Sequence, residues 1–123
     1  MLAPKNPLVI IVEDNAASNQ LFQEWLNSRF RVAGYIDAES AQRLVSPSTE
    51  KIVFLVDYNL PGENGIAFKK NVETDFPQAK FILASGLLDA KLSSKAKEAG
   101  FHDLLPKPFN KEMLIQRIDD LLK

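Results

Sequence analysis

Five short apolar runs, Leu8–Val12, Arg31–Ile36, Ile52–Val56, Lys80–Ala84 and His102–Leu105, constrain this chain more than any other feature, because they are filled at nearly every position. A strand with one face in water alternates apolar and polar residues. A strand covered on both faces does not, which is the pattern of parallel sheets lying between two helical layers. The β-branched content of the first and third runs favours strand over helix. Successive runs start 23, 21, 28 and 22 residues apart, and helical spacing fills the intervals and the tail, as in Leu21, Phe22, Trp25 and Leu26, or Leu114, Ile115, Ile118, Leu121 and Leu122. Strand and helix therefore alternate five times, and 123 residues at 46% hydrophobic content make one α/β domain.

Punctuation residues agree with this division. Asp37 can cap a helix from about Ala38 to Val45, Asn110 can cap the last helix, and Gly100 closes the helix before Phe101. Gly34 and Pro106 fall within or at the end of expected strands, which predicts that the second and fifth strands lie at the sheet edges, where a lost donor is tolerated. Residues 1–7 are expected to form a flexible arm and residues 8–123 the folded domain.

Charge and composition narrow the partners. Fifteen Lys plus Arg against sixteen Asp plus Glu give a net charge of −1, so no field exists to hold a phosphate backbone or an anionic membrane, and direct nucleic-acid binding is not expected. Neither part is strongly basic: residues 1–85 carry 8 basic and 10 acidic side chains, residues 86–123 carry 7 and 6. Without cysteine there is no disulfide, thiolate metal site or Cys nucleophile. The longest apolar run, Leu8–Val12, is too short to span a bilayer, so a cytoplasmic, membrane-free protein is expected.

In open parallel sheets functional groups collect at the carboxyl ends of the strands. Here those ends carry Glu13-Asp14, Asp57, Ser85-Gly86 and Lys107-Pro108. Three carboxylates converging on one crevice repel one another unless a cation sits among them, and an all-oxygen set selects a hard cation such as Mg²⁺. Lys107 would pair with an anion held there, and the Ser85 hydroxyl would complete a pocket for a phosphoryl group. Taken singly, each residue has a bland explanation: Asp14 or Asn15 as a helix cap, Asp57 as a turn residue, Ser85 as a loop serine, Lys107 as a solvated charge. Trp25 is expected in helix-to-sheet core, His102 in a structural or exposed place, Tyr58 at a loop or rim, and Lys91, Lys95 and Lys97 on the solvated side of the fourth helix.

Taken together, the acidic pair Glu13-Asp14, the segment Asp57-Tyr58-Asn59-Leu60-Pro61-Gly62-Glu63-Asn64-Gly65, Ser85-Gly86 and Lys107-Pro108-Phe109 resemble the receiver domain of two-component response regulators over residues 7–123. The resemblance implies a flavodoxin-like fold: a doubly wound five-stranded parallel sheet in the order 2-1-3-4-5 with helices on both faces. It also implies a signalling switch that catalyses its own aspartyl phosphorylation and dephosphorylation. Asp57 would accept a phosphoryl group from the phosphohistidine of a sensor histidine kinase or phosphotransfer protein. Asp14 and Asp57 would ligate Mg²⁺ directly, Glu13 through water, and the backbone carbonyl of Asn59 would add a further oxygen. Lys107 would neutralise phosphoryl charge, Ser85 would hydrogen-bond the phosphoryl product, and Lys107-Pro108 would be cis. Pro61 and Gly65 would shape the loop after Asp57, Gly65 by taking positive φ.

Output would run through the fourth helix, fifth strand and fifth helix, about residues 87–123, to a downstream effector protein or a fused output domain. The chain would be a stand-alone receiver or a piece of a longer regulator or hybrid kinase. Two departures bear on switching. The family's aromatic three positions before the lysine is replaced by Leu104, which is expected to pack as strand core, leaving the loop Ser85-Gly86-Leu87 to carry the change, and Glu13 stands where Asp is frequent. A pseudo-receiver that binds partners without phosphorylation is the alternative. An aspartyl phosphohydrolase is disfavoured because no Asp stands two residues after Asp57, and a P-loop enzyme because no G-x-x-x-x-G-K-[ST] occurs.

Overall fold

A computed structural model describes residues 6–123, so residues 1–5 of the expected arm lie outside the described residues. The elements run β1 (Leu8–Val12), α1 (Ala16–Leu26), β2 (Arg31–Tyr35), α2 (Ala38–Leu44), β3 (Ile52–Asp57), α3 (Gly65–Val72), β4 (Lys80–Ser85), α4 (Ala90–Glu98), β5 (Asp103–Pro106) and α5 (Lys111–Leu122), with a 3₁₀ turn at Glu73–Asp75 after α3. All four strand pairings are parallel and the sheet order is β2-β1-β3-β4-β5. The order expected from the sequence is the order observed.

Strand alternation divides the core into two layers. Val9, Ile11, Leu55, Ile82 and Leu105 face Phe22 and Leu26 of α1 and Leu114 and Ile118 of α5. Ile10, Phe54, Phe81 and Leu83 face Ala38 and Ala41 of α2, Phe68 and Val72 of α3, and Leu92 and Ala96 of α4. At the centre of the second layer the Phe54 ring stacks on Phe81 at 4.7 Å and meets Phe76 edge-on at 5.1 Å. Offset and edge-on geometries let each ring quadrupole attract its neighbour, adding about 1 kcal/mol per pair to the area buried.

The edges fall where the glycine and proline placed them. Every residue of the edge strand β2 is half-buried, whereas every residue of the central strand β3 is buried. Pro106 ends β5 opposite Ser85. Boundaries differ by a residue from expectation: Ile36 lies outside β2 and is exposed, Val45 caps α2, and His102 precedes β5 rather than opening it. His102 instead accepts the Phe81 N–H at Nδ1, 3.0 Å, which fixes it as a structural residue, and burial followed by the charges of Lys80 and Lys69 lowers its pKa. Leu21 is exposed rather than core, while Trp25 is half-buried against Phe22 and Phe109. Lys91, Lys95 and Lys97 are exposed.

One cation lies inside the second layer. Lys69 of α3 is only 6% exposed, and its ammonium stands 5.0 Å from the Phe81 ring centroid and 5.9 Å from that of Phe101, with Glu73 as its ion-pair partner. Ring faces attract a cation that has lost part of its water. Gly100, at φ +86°, makes the room: a Cβ there would lie 3.2 Å from Lys69 Nζ. The same glycine closes α4 in the left-handed conformation.

Candidate functional site

Each site residue is delivered by the end of a strand. β1 stops at Val12 and the chain turns through Glu13, Asp14 and Asn15 into α1. Asn15 supplies the helix cap, its Oδ1 accepting the Ser18 N–H at 2.8 Å, so Asp14 is left exposed and uncommitted to capping. Glu13 is 3% exposed; its Oε2 accepts the Asn15 N–H at 3.0 Å and its Oε1 accepts from Lys107 Nζ at 2.6 Å. Asp57 ends β3, which pairs with β1, and is 6% exposed. Carboxylate oxygens of Glu13, Asp14 and Asp57 all lie within 4.8 Å of one another.

Lys107, just past β5, reaches back across the crevice, with Nζ 3.3 Å from Asp57 Oδ1. The Lys107–Pro108 peptide is cis, as the resemblance implies. Burial, then the nearby Glu13 charge, pushes the Asp57 carboxyl up to about 6, against the opposing pull of Lys107 and of the Asn59 backbone N–H. Burial works to lower the Lys107 pKa, yet its hydrogen bond to Glu13 and the Asp57 charge leave it above the usual lysine value. Two buried acids sharing one ammonium are thus short of positive charge. An all-oxygen donor set with this deficit fits a hard divalent cation.

Ser85 ends β4 next to the position paired with Asp57, and it is buried. Its hydroxyl is closed into its own loop: Oγ accepts the Leu87 N–H at 3.1 Å and donates to the Leu87 carbonyl at 3.3 Å. Beside it a cavity of about 260 Å³ extends from Ser85, Asn59 and Tyr58 to Lys91 and Lys95 of α4. Asn59 is exposed at the rim; Tyr58 is half-buried and packs on the second layer, as does Leu104.

The loop after Asp57 differs from expectation at Gly65. Among the described residues positive φ occurs at Gly62 and Gly100, not at Gly65. Gly65 is required by closeness instead: a Cβ there would come within 2.6 Å of the Asp57 backbone oxygen, where α3 begins against β3. Its N–H donates to the Tyr58 carbonyl at 2.8 Å. The sequence reading also missed Asn19, a buried polar residue on α1. The available signal was its register: Asn19 shares the stripe of Phe22 and Leu26, at i, i+3 and i+7, so a polar side chain occupies an apolar helix face.

Five parallel strands in this order, with functional groups at their carboxyl ends, form a flavodoxin-like receiver architecture. The chain matches the response regulator receiver domain model over residues 9–119 and belongs to that family. It is 30% identical to Protein PetR of Rhodobacter capsulatus, across 100% of this chain and 52% of that protein. It is 32% identical to a cyclic di-GMP phosphodiesterase of Thermotoga maritima, across 94% of this chain and 31% of that protein. The chain therefore spans about half, or less, of the length of these curated relatives. Among solved structures, the BeF3-activated DrrB receiver domain superposes with a TM-score of 0.86 at 26% identity, over 95% of this chain and 97% of that one. A CheY-like receiver domain from Methanospirillum hungatei superposes at 0.87 with 21% identity, over 96% and 94% of the two chains. Among the described residues no helix is long and apolar enough to cross a membrane.

Proposed function

We propose that this domain is a phosphoacceptor switch of a two-component relay, with Asp57 as the residue that takes the phosphoryl group. The observation that supports this most directly is the Asp57 carboxylate itself: buried at the end of a central strand, facing two further carboxylates, and 3.3 Å from an ammonium. In the transfer an Asp57 oxygen attacks phosphorus, the O–P bond forms as the P–N bond to a donor imidazole breaks, and the imidazole leaves with the electron pair and gains a proton. Water later attacks the phosphorus of the acyl phosphate, the Asp57 O–P bond breaks, inorganic phosphate leaves and the carboxylate is restored.

Glu13, Asp14 and Asp57, with the Asn59 carbonyl, would hold Mg²⁺, which when bound supplies positive charge for the phosphoryl oxygens. Lys107 is already aimed at Asp57 and interacts with the incoming anion. Ser85 must exchange its Leu87 bonds for a phosphoryl oxygen, so the β4–α4 loop changes as the site fills. A small preorganised change of this kind shifts a population rather than building a new structure. A sensor histidine kinase or phosphotransfer protein is the donor in this reading, and the domain itself works in the cytoplasm. The α4–β5–α5 face addresses a downstream effector or a fused output domain.

Incubation with acetyl phosphate and Mg²⁺, followed by intact mass measurement, tests the reading. One added phosphoryl group that disappears with time and requires Mg²⁺ is expected. An unchanged mass under conditions that phosphorylate an authentic receiver would refute it.

A further inference from the structure

We infer that Asn19 is a positioning residue for the acidic loop: its carboxamide locks the peptide leading from Glu13 to Asp14 and so aims the Asp14 carboxylate into the crevice. The inference rests on the proposed cation site and deepens it. Asn19 is 3% exposed, and every hydrogen-bonding atom of its amide is used. Nδ2 donates to the Glu13 carbonyl at 3.0 Å and to the Tyr35 carbonyl at 2.9 Å, and Oδ1 accepts from Gln23 Nε2 at 2.7 Å. This orientation of the amide is forced, since the opposite one would press an oxygen against two carbonyl oxygens.

The consequence for Glu13 is complete backbone restraint. Its N–H donates to the Tyr35 carbonyl at 3.0 Å and its C=O is held by Asn19, so of the two peptide groups of the residue before Asp14 one is fixed by the end of β2 and the other by α1. Asp14 carries a short side chain on an exposed turn, and its direction follows from that peptide plane. Asn15 separately fixes the next residue as the cap.

A second, independent feature protects the arrangement. A Cβ on Gly34 of β2 would lie 2.3 Å from Asn19 Oδ1 and 2.3 Å from Gln23 Nε2, so the edge strand has no side chain where the amide pair must fit. Gly34 thus serves the acidic loop as well as marking an edge. Residues that orient metal ligands without touching the metal typically change affinity by about 10- to 100-fold when removed.

The test is calorimetric titration of the metal-free protein with Mg²⁺ alone, together with the Asp14 amide chemical shift before any metal is added. Asn19→Leu keeps the volume and deletes the donors; Gly34→Ala displaces the amide with Asn19 intact, and decides the matter if the first variant does not fold. Val72→Ala, in the opposite layer near the end of α3, gives a thermal destabilisation unconnected with the loop. Both loop variants are expected to bind Mg²⁺ about tenfold or more weakly and to shift the Asp14 amide, while Val72→Ala binds as the parent does. Parent-like affinity and an unmoved Asp14 amide in the loop variants would overturn the positioning role while leaving the cation site standing. A parent that binds no Mg²⁺ would instead overturn the cation site, and the inference with it.

Discussion

Asp57→Asn should yield a protein that takes no phosphoryl group and that, in metal-free buffer at pH 8, is more stable than its parent. The amide keeps the shape but lacks the nucleophilic charge, so the first effect is total. The second follows from linkage. The Asp57 pKa is raised from 3.8 to about 6 in the folded protein, chiefly by burial and then by Glu13. Its proton therefore stabilises the fold fully below about pH 4, and that contribution is lost as pH rises through 6. At pH 8 the parent holds a charge that the asparagine variant does not. The advantage of the variant should be about 1–3 kcal/mol there, shrink between pH 6 and 4, and diminish when Mg²⁺ is added. Urea midpoints at pH 8 and pH 4.5, with chelator or with Mg²⁺, measure all three. An asparagine variant less stable than its parent at pH 8 in chelator would show that Lys107 already compensates the charge.

Lys107→Ala should lose in two separable ways. Nζ is the shared partner of Glu13 at 2.6 Å and Asp57 at 3.3 Å, and the Glu13 side chain is 4% exposed. Removing one member of a buried pair strands the other charge, at a cost of about 3–5 kcal/mol when burial is complete. Here the lysine side chain is 27% exposed, so water enters the gap and about 2–3 kcal/mol is expected. The rate of phosphorylation by acetyl phosphate should fall about 100-fold, the usual effect of deleting one group that stabilises transferring charge. Adding Glu13→Gln to Lys107→Ala removes the stranded charge, so stability should recover in part while the rate stays low. Recovery of both together would mean that Lys107 acts only by holding Glu13.

What was visible in the sequence follows from how local each cause is. Runs such as Ile52–Val56 reveal double-sided burial because every position must be apolar, and Gly34 and Pro106 betray edges because the loss of a side chain or donor is tolerated there. Asp57 and Lys107 could be located because strand ends are where this topology gathers its chemistry. Gly65 was singled out for the wrong reason: a glycine demanded by the nearness of another backbone is indistinguishable, in one sequence, from a glycine demanded by its own φ. Asn19 was passed over because its value lies in two carbonyls, those of Glu13 and Tyr35, that no periodicity brings together. Ser85 could be placed but not its bond to Leu87, since a hydroxyl two residues from a backbone N–H has many other options.

The ammonium of Lys69, enclosed by Phe81, Phe101 and Glu73, gives the domain a built-in reporter of its own breathing. An amine surrounded by rings and an acid is out of reach of an acylating reagent until α3 and the α4–β5 corner part. With a reagent slow relative to reclosing, the ratio of its labelling rate to that of exposed Lys91 gives the population of that opened state. Labelling of Lys69 should trail Lys91, Lys95 and Lys97 by orders of magnitude and accelerate in Gly100→Ala, where the added methyl crowds the ammonium and strains a left-handed backbone. Equal rates at Lys69 and Lys91 would mean that this corner of the core stands open. The lysine outside the acidic crevice is then the one that reports what share of the molecules have the helix following Asp57 swung open.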